Sequence, residues 1–352
     1  MSFQSWQLSR WLAVPVVVLG LAACSTPNPD TAVSFPEAVT QAEAVNAGEA
    51  VSGTIVIDGS STVHPITKAM SEAFKESNPD VEFELEVSGT GGGFQTFCAD
   101  ETDITGASRP INAEEMALCE QNGVEYIELP IAFDGLAVVV NNENDFAACL
   151  KLSELRTLWE PAAEGQVTNW NQVRSSFPDQ PLSLYGPDTE SGTYDYFTLA
   201  VVGEEGSSRS DYAPSESDVA LVEGVAGNPN GLGYFGYAYY LANQDKLKLL
   251  AVDSGAGCVQ PSPQTIADSR YQPLARPIFI YVKRSAAERP EVQAFTQFYL
   301  SPTNANIVLE VGDVPLPNIT LRAAANRLKR GETGTKFGGS GAVLEVGREQ
   351  LN

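Results

Sequence analysis

The chain has 352 residues, of which 45 are Asp or Glu and 21 are Lys or Arg, and its formal net charge at pH 7 is −24. This charge argues against nucleic acid as a partner, because nucleic-acid phosphates are bound through clusters of Lys and Arg. The single histidine, His64, and the lack of any Cys-x-x-Cys pair argue against a zinc site, which needs several His or Cys ligands. We therefore expect neither a metal nor another cofactor.

Residues 1–23 predict a lipoprotein signal peptide. The apolar run Trp11–Ala23 is too short to span a bilayer and is typical of the apolar part of a signal peptide. It ends in Leu-Ala-Ala-Cys, the pattern of a bacterial lipobox, so we expect lipidation of Cys24. Residues 24–51 read as a flexible acidic tether. The mature chain would then be periplasmic or otherwise extracytoplasmic, anchored to a bacterial membrane by lipid. The alternative is a soluble secretory signal in which Cys24 is incidental.

Four cysteines remain after Cys24, namely Cys98, Cys119, Cys149 and Cys258. An even number of cysteines in an exported chain predicts two disulfides. Three pairings are possible with four cysteines. We favour Cys98–Cys119, which closes a local loop, and Cys149–Cys258, which joins distant parts of the chain.

Three strand–loop–helix units follow one another between residues 54 and 121. In each, a short apolar strand runs into a loop of small residues, and a helical pattern begins at once. The loops are 58–62, 88–93 and 108–110. This alternation predicts a parallel α/β sheet, in which ligands bind beyond the carboxyl ends of the strands. All three loops should therefore face one crevice.

A fourth loop of the same kind spans residues 186–193, with an apolar run before it and a helical run after it. The first turn of a helix offers unpaired backbone N–H groups and the positive end of the helix dipole, which suit an anion. Ser191 and Thr193 add hydroxyl groups, and Gly192 allows close approach to the backbone. The alternative is an ordinary helix N-cap.

Two long apolar runs, 126–140 and 274–282, predict segments that pass from one lobe to another, and the chain length fits two lobes. We assign residues 52–132 with 256–328 to lobe I and residues 133–255 to lobe II. Residues 329–352 are Gly-rich and polar, which predicts a loose tail.

Taken in order, the four loops resemble those of the phosphate-binding proteins of bacterial phosphate ABC importers. The residues that carry the resemblance are Gly59-Ser60-Ser61-Thr62, Gly89-Thr90-Gly91-Gly92-Gly93, Gly106-Ala107-Ser108-Arg109-Pro110 and Glu190-Ser191-Gly192-Thr193. The resemblance covers about residues 52–327. It implies a monomeric, non-catalytic protein of the two-lobed periplasmic-binding-protein fold, type II-like, with hinge crossovers and a ligand cleft between the lobes.

The resemblance also implies a partner and a ligand set. Inorganic phosphate would be held, dehydrated, between the lobes and delivered to the membrane permease of the importer. Carried across by motif, the ligands in lobe I are Ser61, Thr62 and Thr90. Those in lobe II are Ser191, Gly192 and Thr193.

The sequence departs from the best-known members at two charged positions. Arg109 stands where they have Asp, and Pro187 stands where they have Arg. We infer that the charges have exchanged lobes, so that Arg109 contacts the anion as a forked donor. Glu190, Asp188 or Asp134 would supply a carboxylate that accepts a hydrogen bond from protonated phosphate and repels sulfate. The alternatives are a surface or ion-pair role for Arg109 and a hinge-turn role for Asp134.

Other functions compete with this interpretation. Within binding proteins, the ligand could be another tetrahedral oxyanion, such as sulfate or molybdate. A secreted serine hydrolase or phosphatase would use Ser60, Ser61 or Ser191 with His64 as base. For His64, three residues after Ser61 in a strand-to-helix turn, a capping or surface role is favoured. A third alternative is a surface adhesion or signalling module that reused the fold.

Overall fold

The computed structural model describes residues 51–346 and 348–352. The predicted signal peptide, Cys24 and residues 24–50 of the tether lie outside the described residues. The strands are β1 (Gly53–Gly59), β2 (Val81–Leu85), β3 (Ile104–Ala107), β4 (Tyr126–Asn141), β5 (Cys149–Lys151), β6 (Ser183–Gly186), β7 (Ala213–Pro214), β8 (Gly231–Gly236), β9 (Leu247–Leu249), β10 (Ala251–Asp253), β11 (Cys258–Val259), β12 (Ala275–Lys283) and β13 (Val314–Pro315).

The helices connect these strands and cover the sheet. In chain order they are α1 (His64–Ser77), α2 (Gly89–Cys98), α3 (Ala113–Gln121), α4 (Leu152–Trp159), α5 (Trp170–Val173), α6 (Gly192–Val201), α7 (Asp218–Ala226), α8 (Tyr237–Leu241), α9 (Pro263–Ala267), α10 (Pro290–Tyr299), α11 (Ala305–Val311), α12 (Asn318–Arg330) and α13 (Arg348–Leu351). Among the described residues, none of these helices combines the length and apolar character needed to cross a bilayer.

Strand β1 sets the edge at which the first loops meet. It pairs in parallel with β2 and β3, and the register places Gly59 opposite Gly106. Because parallel strands end at one edge of a sheet, the loops after β1 and β3 leave it side by side. Gly59 has a φ of +127°, and a Cβ there would lie 2.3 Å from the Gly106 carbonyl oxygen. Only glycine allows the two backbones to approach this closely.

The helix that follows β1 is fixed by burial of one face. Helix α1 has Pro65 in its first turn, a position where the missing N–H costs nothing. Ile66, Met70 and Phe74 repeat every four residues and are all buried in the apolar core of lobe I, here called the first core. The turn at residues 60–63 is thereby held between the end of β1 and the start of a firmly packed helix. The apolar core of lobe II is called the second core.

Strand β4 is shared by two cores. Its residues up to Gly135 pair antiparallel with β12, and those from Leu136 to Asn141 pair with β8 and β9. Strand β12 returns along it, and β13 adds two residues against Phe133. The main sheet runs β2-β1-β3-β12-β4-β8-β6-β7. This arrangement confirms the predicted α/β architecture of two lobes joined by crossing strands.

The return crossing lies later in the chain than the sequence analysis placed it. Residues 256–275, assigned there to lobe I, pack with the core of lobe II through Ile266 and Leu274. Tyr271 donates its hydroxyl hydrogen to the Leu136 carbonyl at 2.7 Å. Apolar side chains and this buried bond keep the segment on lobe II, so the chain passes back into lobe I along β12.

The segment predicted as a loose tail is packed against both lobes. Phe337 and Leu351 are buried in the first core, and Ala342 is buried in the second. Phe337 lies edge-on to Phe279, with ring centroids 5.5 Å apart. Glycine-rich composition predicted mobility, but the few apolar side chains between the glycines are sufficient to attach the segment.

Both predicted disulfides are confirmed. Cys98–Cys119 joins the end of α2 to α3, with a sulfur–sulfur distance of 1.94 Å. Cys149–Cys258 joins β5 to β11 in a small sheet of strand order β11-β10-β5, with a distance of 1.97 Å. The first closes 21 residues of chain and the second closes 109.

Replacing each disulfide by a pair of serines should lower the free energy of unfolding by different amounts. In the chain-entropy model the long loop contributes about 5 kcal/mol and the short loop about 3 kcal/mol, because a longer loop restricts the unfolded chain more. Urea unfolding followed by tryptophan fluorescence would measure both variants. A larger loss for the Cys98–Cys119 pair would contradict the model.

Candidate ligand-binding site

The turn after β1 and the loop before α6 meet between the two lobes. Thr62 Oγ1 and Thr193 Oγ1 lie 3.0 Å apart, although 131 residues separate them in the chain. Thr62 is 2% exposed and Thr193 is 2% exposed. Thr62 N donates to Ser60 Oγ at 3.2 Å, which keeps the turn tight at the start of α1. Two hydroxyl groups from different lobes therefore share one buried point.

The other two loops reach the same place. Thr90 Oγ1 and Ser108 Oγ are 3.1 Å apart, and Ser108 N donates to Thr90 Oγ1 at 3.2 Å. A Cβ at Gly192 would lie 2.5 Å from Ser108 Oγ and 2.6 Å from Thr90 Oγ1. Gly91 N also donates to the Glu190 carbonyl at 2.9 Å. The four loops thus converge, as the position of the strand ends predicts.

Ser191 caps the N-terminus of α6, which the sequence analysis gave as the alternative to anion binding by this loop. Its hydroxyl accepts a hydrogen bond from Thr193 N at 3.1 Å and is the N-cap of α6. Ser61 and Ser191 are buried, with 6% and 4% exposure. Capping uses one acceptor site of a hydroxyl group and leaves its hydrogen available to donate. The loop can therefore cap the helix and still present donors.

Arg276 on β12 contacts the converging hydroxyls directly, and sequence reasoning missed it. Its Nη2 donates to Thr193 Oγ1 at 2.6 Å and to Thr62 Oγ1 at 3.4 Å. Its Nη1 donates to the Gly192 carbonyl at 2.8 Å. The guanidinium carbon also lies 5.3 Å from the centroid of the Tyr196 ring. The signal was present in the sequence, because an arginine inside a buried apolar run needs a charged partner.

Asp134 is that partner. Its Oδ2 accepts from Arg276 Nη2 at 3.1 Å and from Nε at 3.2 Å, and the residue is fully buried. Asp134 and Arg276 stand opposite each other in the pairing of β4 with β12. Burial raises the pKa of Asp134, while the Arg276 guanidinium opposes the rise. Asp134 therefore lies on β4, which crosses between the lobes, and through Arg276 it is also next to the loops that carry Thr62 and Thr193.

Arg109 is buried too, but carboxylates face its guanidinium. Its Nη1 and Nη2 donate to the two carboxylate oxygens of Glu115 at 2.9 and 2.8 Å. Its Nε donates to Asp195 Oδ2, on α6 of the other lobe, at 2.6 Å. Burial acts to lower the pKa of Arg109, but the bonds and charges of Glu115 and Asp195 outweigh it and raise the pKa. Arg109 thus links the lobes next to Ser108, and its contact with an anion stays a prediction.

The two carboxylates of the fourth loop, Asp188 and Glu190, have partners other than the converging hydroxyls. Glu190 is exposed, and its Oε2 accepts from Gln95 Nε2 on α2 at 3.3 Å. Asp188 Oδ1 accepts from Glu190 N at 2.9 Å, a local turn contact. Neither residue is brought to Thr62 and Thr193. A carboxylate role at the centre of the site is therefore better suited to a buried residue.

Asp218, at the start of α7, is a buried carboxylate that the sequence analysis did not identify. It is 3% exposed. Burial raises its pKa to about 7; Asp134 adds to the rise, whereas Ser61 and Arg276 oppose it. The interaction with Ser61 places the carboxyl beside the first loop. With this pKa, the Asp218 carboxyl group is partly protonated at neutral pH.

His64 is arranged as the first residue of a helix and not as a base. Its backbone N donates to the Ser60 carbonyl at 3.0 Å. Its ring is half-buried, and burial lowers its pKa, with Lys68 adding to the effect. Among the described residues no hydrogen bond joins this ring to Ser60, Ser61 or Ser191, so the geometry gives no support to a serine nucleophile activated by His64.

Comparison with known proteins places the chain in a family. It matches the model described as PBP superfamily domain over residues 44–303. Protein SphX of Synechocystis sp. is 45% identical over 348 residues, which covers 98% of this chain and 97% of that protein. The chain therefore belongs to the PBP superfamily. Phosphate-binding protein PstS of Staphylococcus aureus is 35% identical over 274 residues. That match covers 77% of this chain and 81% of PstS.

Solved structures of family members agree with the fold. One, described as a possible phosphate binding protein from Planctomyces limnophilus, is 44% identical with a TM-score of 0.58, covering 80% of this chain and 99% of that one. A putative phosphate ABC transporter substrate-binding protein with bound phosphate from Clostridium perfringens is 26% identical with a TM-score of 0.63. That match covers 75% of this chain and 100% of the other. The predicted two-lobed fold of this family is thereby confirmed.

The pKa of Asp218 predicts a pH dependence of stability. The folded value of about 7 lies above the ordinary value of 3.8, so the folded state binds the extra proton. The stability that Asp218 contributes is complete below about pH 4 and is lost as pH rises through about 7, by up to about 4 kcal/mol. Urea unfolding at several pH values should therefore show Asp218→Asn losing less stability than wild type over this range. Parallel curves for the two proteins would contradict the assignment.

Proposed function

We propose that this chain binds inorganic phosphate outside the cytoplasm and delivers it to the permease of a phosphate ABC importer. The observation that carries the proposal is the meeting of loops from two lobes at one buried point, where Thr62 and Thr193 oxygens are 3.0 Å apart and Arg276 donates to both. Hydroxyl groups, helix N-termini and a forked cation form the donor set that a tetrahedral oxyanion requires. Relatives described as phosphate-binding proteins, PstS among them, support phosphate as the ligand.

The proposed ligand set combines the residues predicted from the sequence with Arg276. Backbone N–H groups at the start of α6 would contact phosphate oxygens from lobe II, opposite the hydroxyl groups of the first loop. The hydroxyl groups that would donate with them, and the glycine that admits the anion, are Ser61, Thr62, Thr90, Ser191, Thr193 and Gly192. In the present arrangement Thr62 and Thr193 contact each other directly. Phosphate would enter between them as the lobes separate and would be enclosed as they close.

Two arginines could supply the positive contact. Arg276 already donates to the loop hydroxyls, so a small rearrangement would direct its Nη2 to a phosphate oxygen. Arg109 would need to give up a bond to Glu115 or Asp195. We therefore propose Arg276 as the principal cation, with Arg109 contributing from its place beside Ser108. The formal net charge of −24 makes these local donors essential, because the chain as a whole repels anions.

A buried carboxylate would favour phosphate over sulfate. Protonated phosphate can donate to a carboxylate, whereas sulfate at neutral pH has no proton and would meet a like charge. Glu190 and Asp188 lie at the rim, while Asp134 is buried next to Arg276. Of the three candidates from the sequence, Asp134 is the one that the geometry favours for this role.

Replacing Thr193 by Val should weaken phosphate binding about 10- to 100-fold, because the variant keeps the shape of the side chain but loses a buried hydroxyl bonded to a charged group. Arg276→Ala should weaken it by about 2–5 kcal/mol, because the proposed principal cation is lost, and Arg109→Ala should weaken it less, with partial recovery in Arg109→Lys. Isothermal titration with phosphate, sulfate and molybdate would measure all four proteins.

Thr296→Val is the matched control, since Thr296 is a buried helical threonine whose hydroxyl donates within its own helix. It should bind phosphate like wild type. Tighter binding of sulfate or molybdate than of phosphate by the wild-type chain would reassign the ligand. Release of product from a phosphate ester would favour the hydrolase alternative instead.

We also propose that the mature chain is a monomer tethered to the membrane through lipid on Cys24. The lipobox pattern supports this anchor, and Cys24 is remote in the sequence from every proposed ligand residue. Cys24→Ala should prevent lipid attachment, so that the protein is released from the membrane or mis-processed, and should leave phosphate affinity unchanged. Fractionation after expression in a bacterium would measure this. A variant that remains in the membrane fraction as wild type does would overturn the anchor.

A further inference from the structure

The segment from Thr333 to Val346, here called the C-terminal strap, runs from one lobe to the other. It begins on lobe I, where Gly334 N donates to the Tyr126 carbonyl at 2.9 Å and Lys336 N donates to Glu128 Oε1 at 3.0 Å. Thr335 Oγ1 donates to the other oxygen of Glu128 at 2.5 Å. Glu128 is buried, so these bonds hold the start of the strap firmly.

The middle of the strap remains on lobe I. Phe337 packs in the first core, and Ser340 forms an antiparallel bridge with Asn112 at the start of α3. Asn112 is the N-cap of α3, whose Glu115 accepts from Arg109. The strap therefore passes directly over the element that positions Arg109.

The strap then contacts lobe II. Ala342 N donates to Glu205 Oε2 at 3.1 Å, and Ala342 itself is buried in the second core. Gly341 has a φ of +68°, and a Cβ there would lie 2.8 Å from Glu205 Oε1. That same oxygen lies 3.9 Å from Arg109 Nε. Glu205 of lobe II is thus held from two sides, by the strap and by Arg109 of lobe I.

We propose that the C-terminal strap is a latch that holds the closed form of the two lobes through Glu205. Separation of the lobes would break the bond between Ala342 N and Glu205 together with the contacts of Arg109 to Asp195 and Glu205. A contact present only in the closed form shifts the equilibrium towards that form. The latch would therefore slow the release of ligand until the lobes are drawn apart, a consequence that rests on the proposed function.

Two variants remove the Glu205 contact from opposite sides. Glu205→Ala deletes the acceptor, and Ala342→Pro deletes the N–H donor while leaving Glu205 beside Arg109. Glu204→Ala is the matched control, because Glu204 is an exposed neighbour in the same loop. We expect each of the two variants to dissociate phosphate about 5- to 10-fold faster in stopped-flow tryptophan fluorescence, as expected for one lost hydrogen bond to a partly exposed carboxylate. The double variant should be no faster than the faster single variant, since both changes remove the same bond between Ala342 N and Glu205.

Small-angle scattering and hydrogen exchange test the latch without any ligand. Both variants should have a larger radius of gyration than wild type, and the amides of residues 340–344 should exchange faster, while Glu204→Ala matches wild type. Rates, radii and exchange like those of the control in both variants would overturn the latch and leave the strap as packing alone. A wild-type chain that binds no phosphate would refute the proposed function, and the scattering and exchange results would still decide the latch.

Discussion

The buried pair of Arg276 and Asp134 is the interaction on which the rest of this structure depends. The two residues are 1% and 0% exposed and lie on neighbouring strands at the point where the chain passes between the lobes. Taking two charges out of water costs several kcal/mol for each ion, and only good geometry with further hydrogen bonds offsets the cost. Those further bonds come from the Gly192 carbonyl and the hydroxyls of Thr62 and Thr193. The crossing strands and the ligand loops are therefore held by one guanidinium.

This arrangement explains how an acidic chain can present an anion site. Asp134 fixes the plane of the guanidinium, so the remaining N–H groups are directed at the loops before any ligand arrives. Helices α1 and α6 begin at those loops and add the positive ends of their dipoles. Such donors act over short distances, and the many carboxylates elsewhere do not cancel them in a buried site. Enclosure between two lobes is thus part of the binding chemistry, because it removes the competing water.

Much of the site could be predicted from the sequence because it is built from local motifs. Strand, small-residue loop and helix recur four times, and the carboxyl ends of parallel strands share an edge, so the convergence of Thr62, Thr90 and Ser108 follows. The number of disulfides followed from cysteine number and export, whereas their pairing was chosen from three possibilities. Arg276 was missed because its apolar neighbours identified the segment as a buried strand, and its pairing with a residue 142 positions away depends on sheet register. Local patterns carry no information about such register.

The remaining differences have the same origin. The partners of Arg109 combine a local one, Glu115, with a distant one, Asp195, and only the local one is visible in the sequence. Residues 256–275 lie with lobe II because Ile266 and Leu274 find apolar neighbours there. Residues 333–346 are attached by single apolar side chains between glycines and by hydrogen bonds to Glu128 and Glu205. In each case a few long-range contacts decide the outcome against local composition.

The most direct test of the account is a crystal structure of the chain grown with phosphate at neutral pH. We expect one phosphate between the lobes, with its oxygens within about 3.2 Å of the Thr62 and Thr193 hydroxyls, of backbone N–H groups at the start of α6, and of an arginine nitrogen. Arg276 should still contact Asp134 in that structure. A phosphate bound elsewhere, with Thr62 and Thr193 still in direct contact, would contradict it.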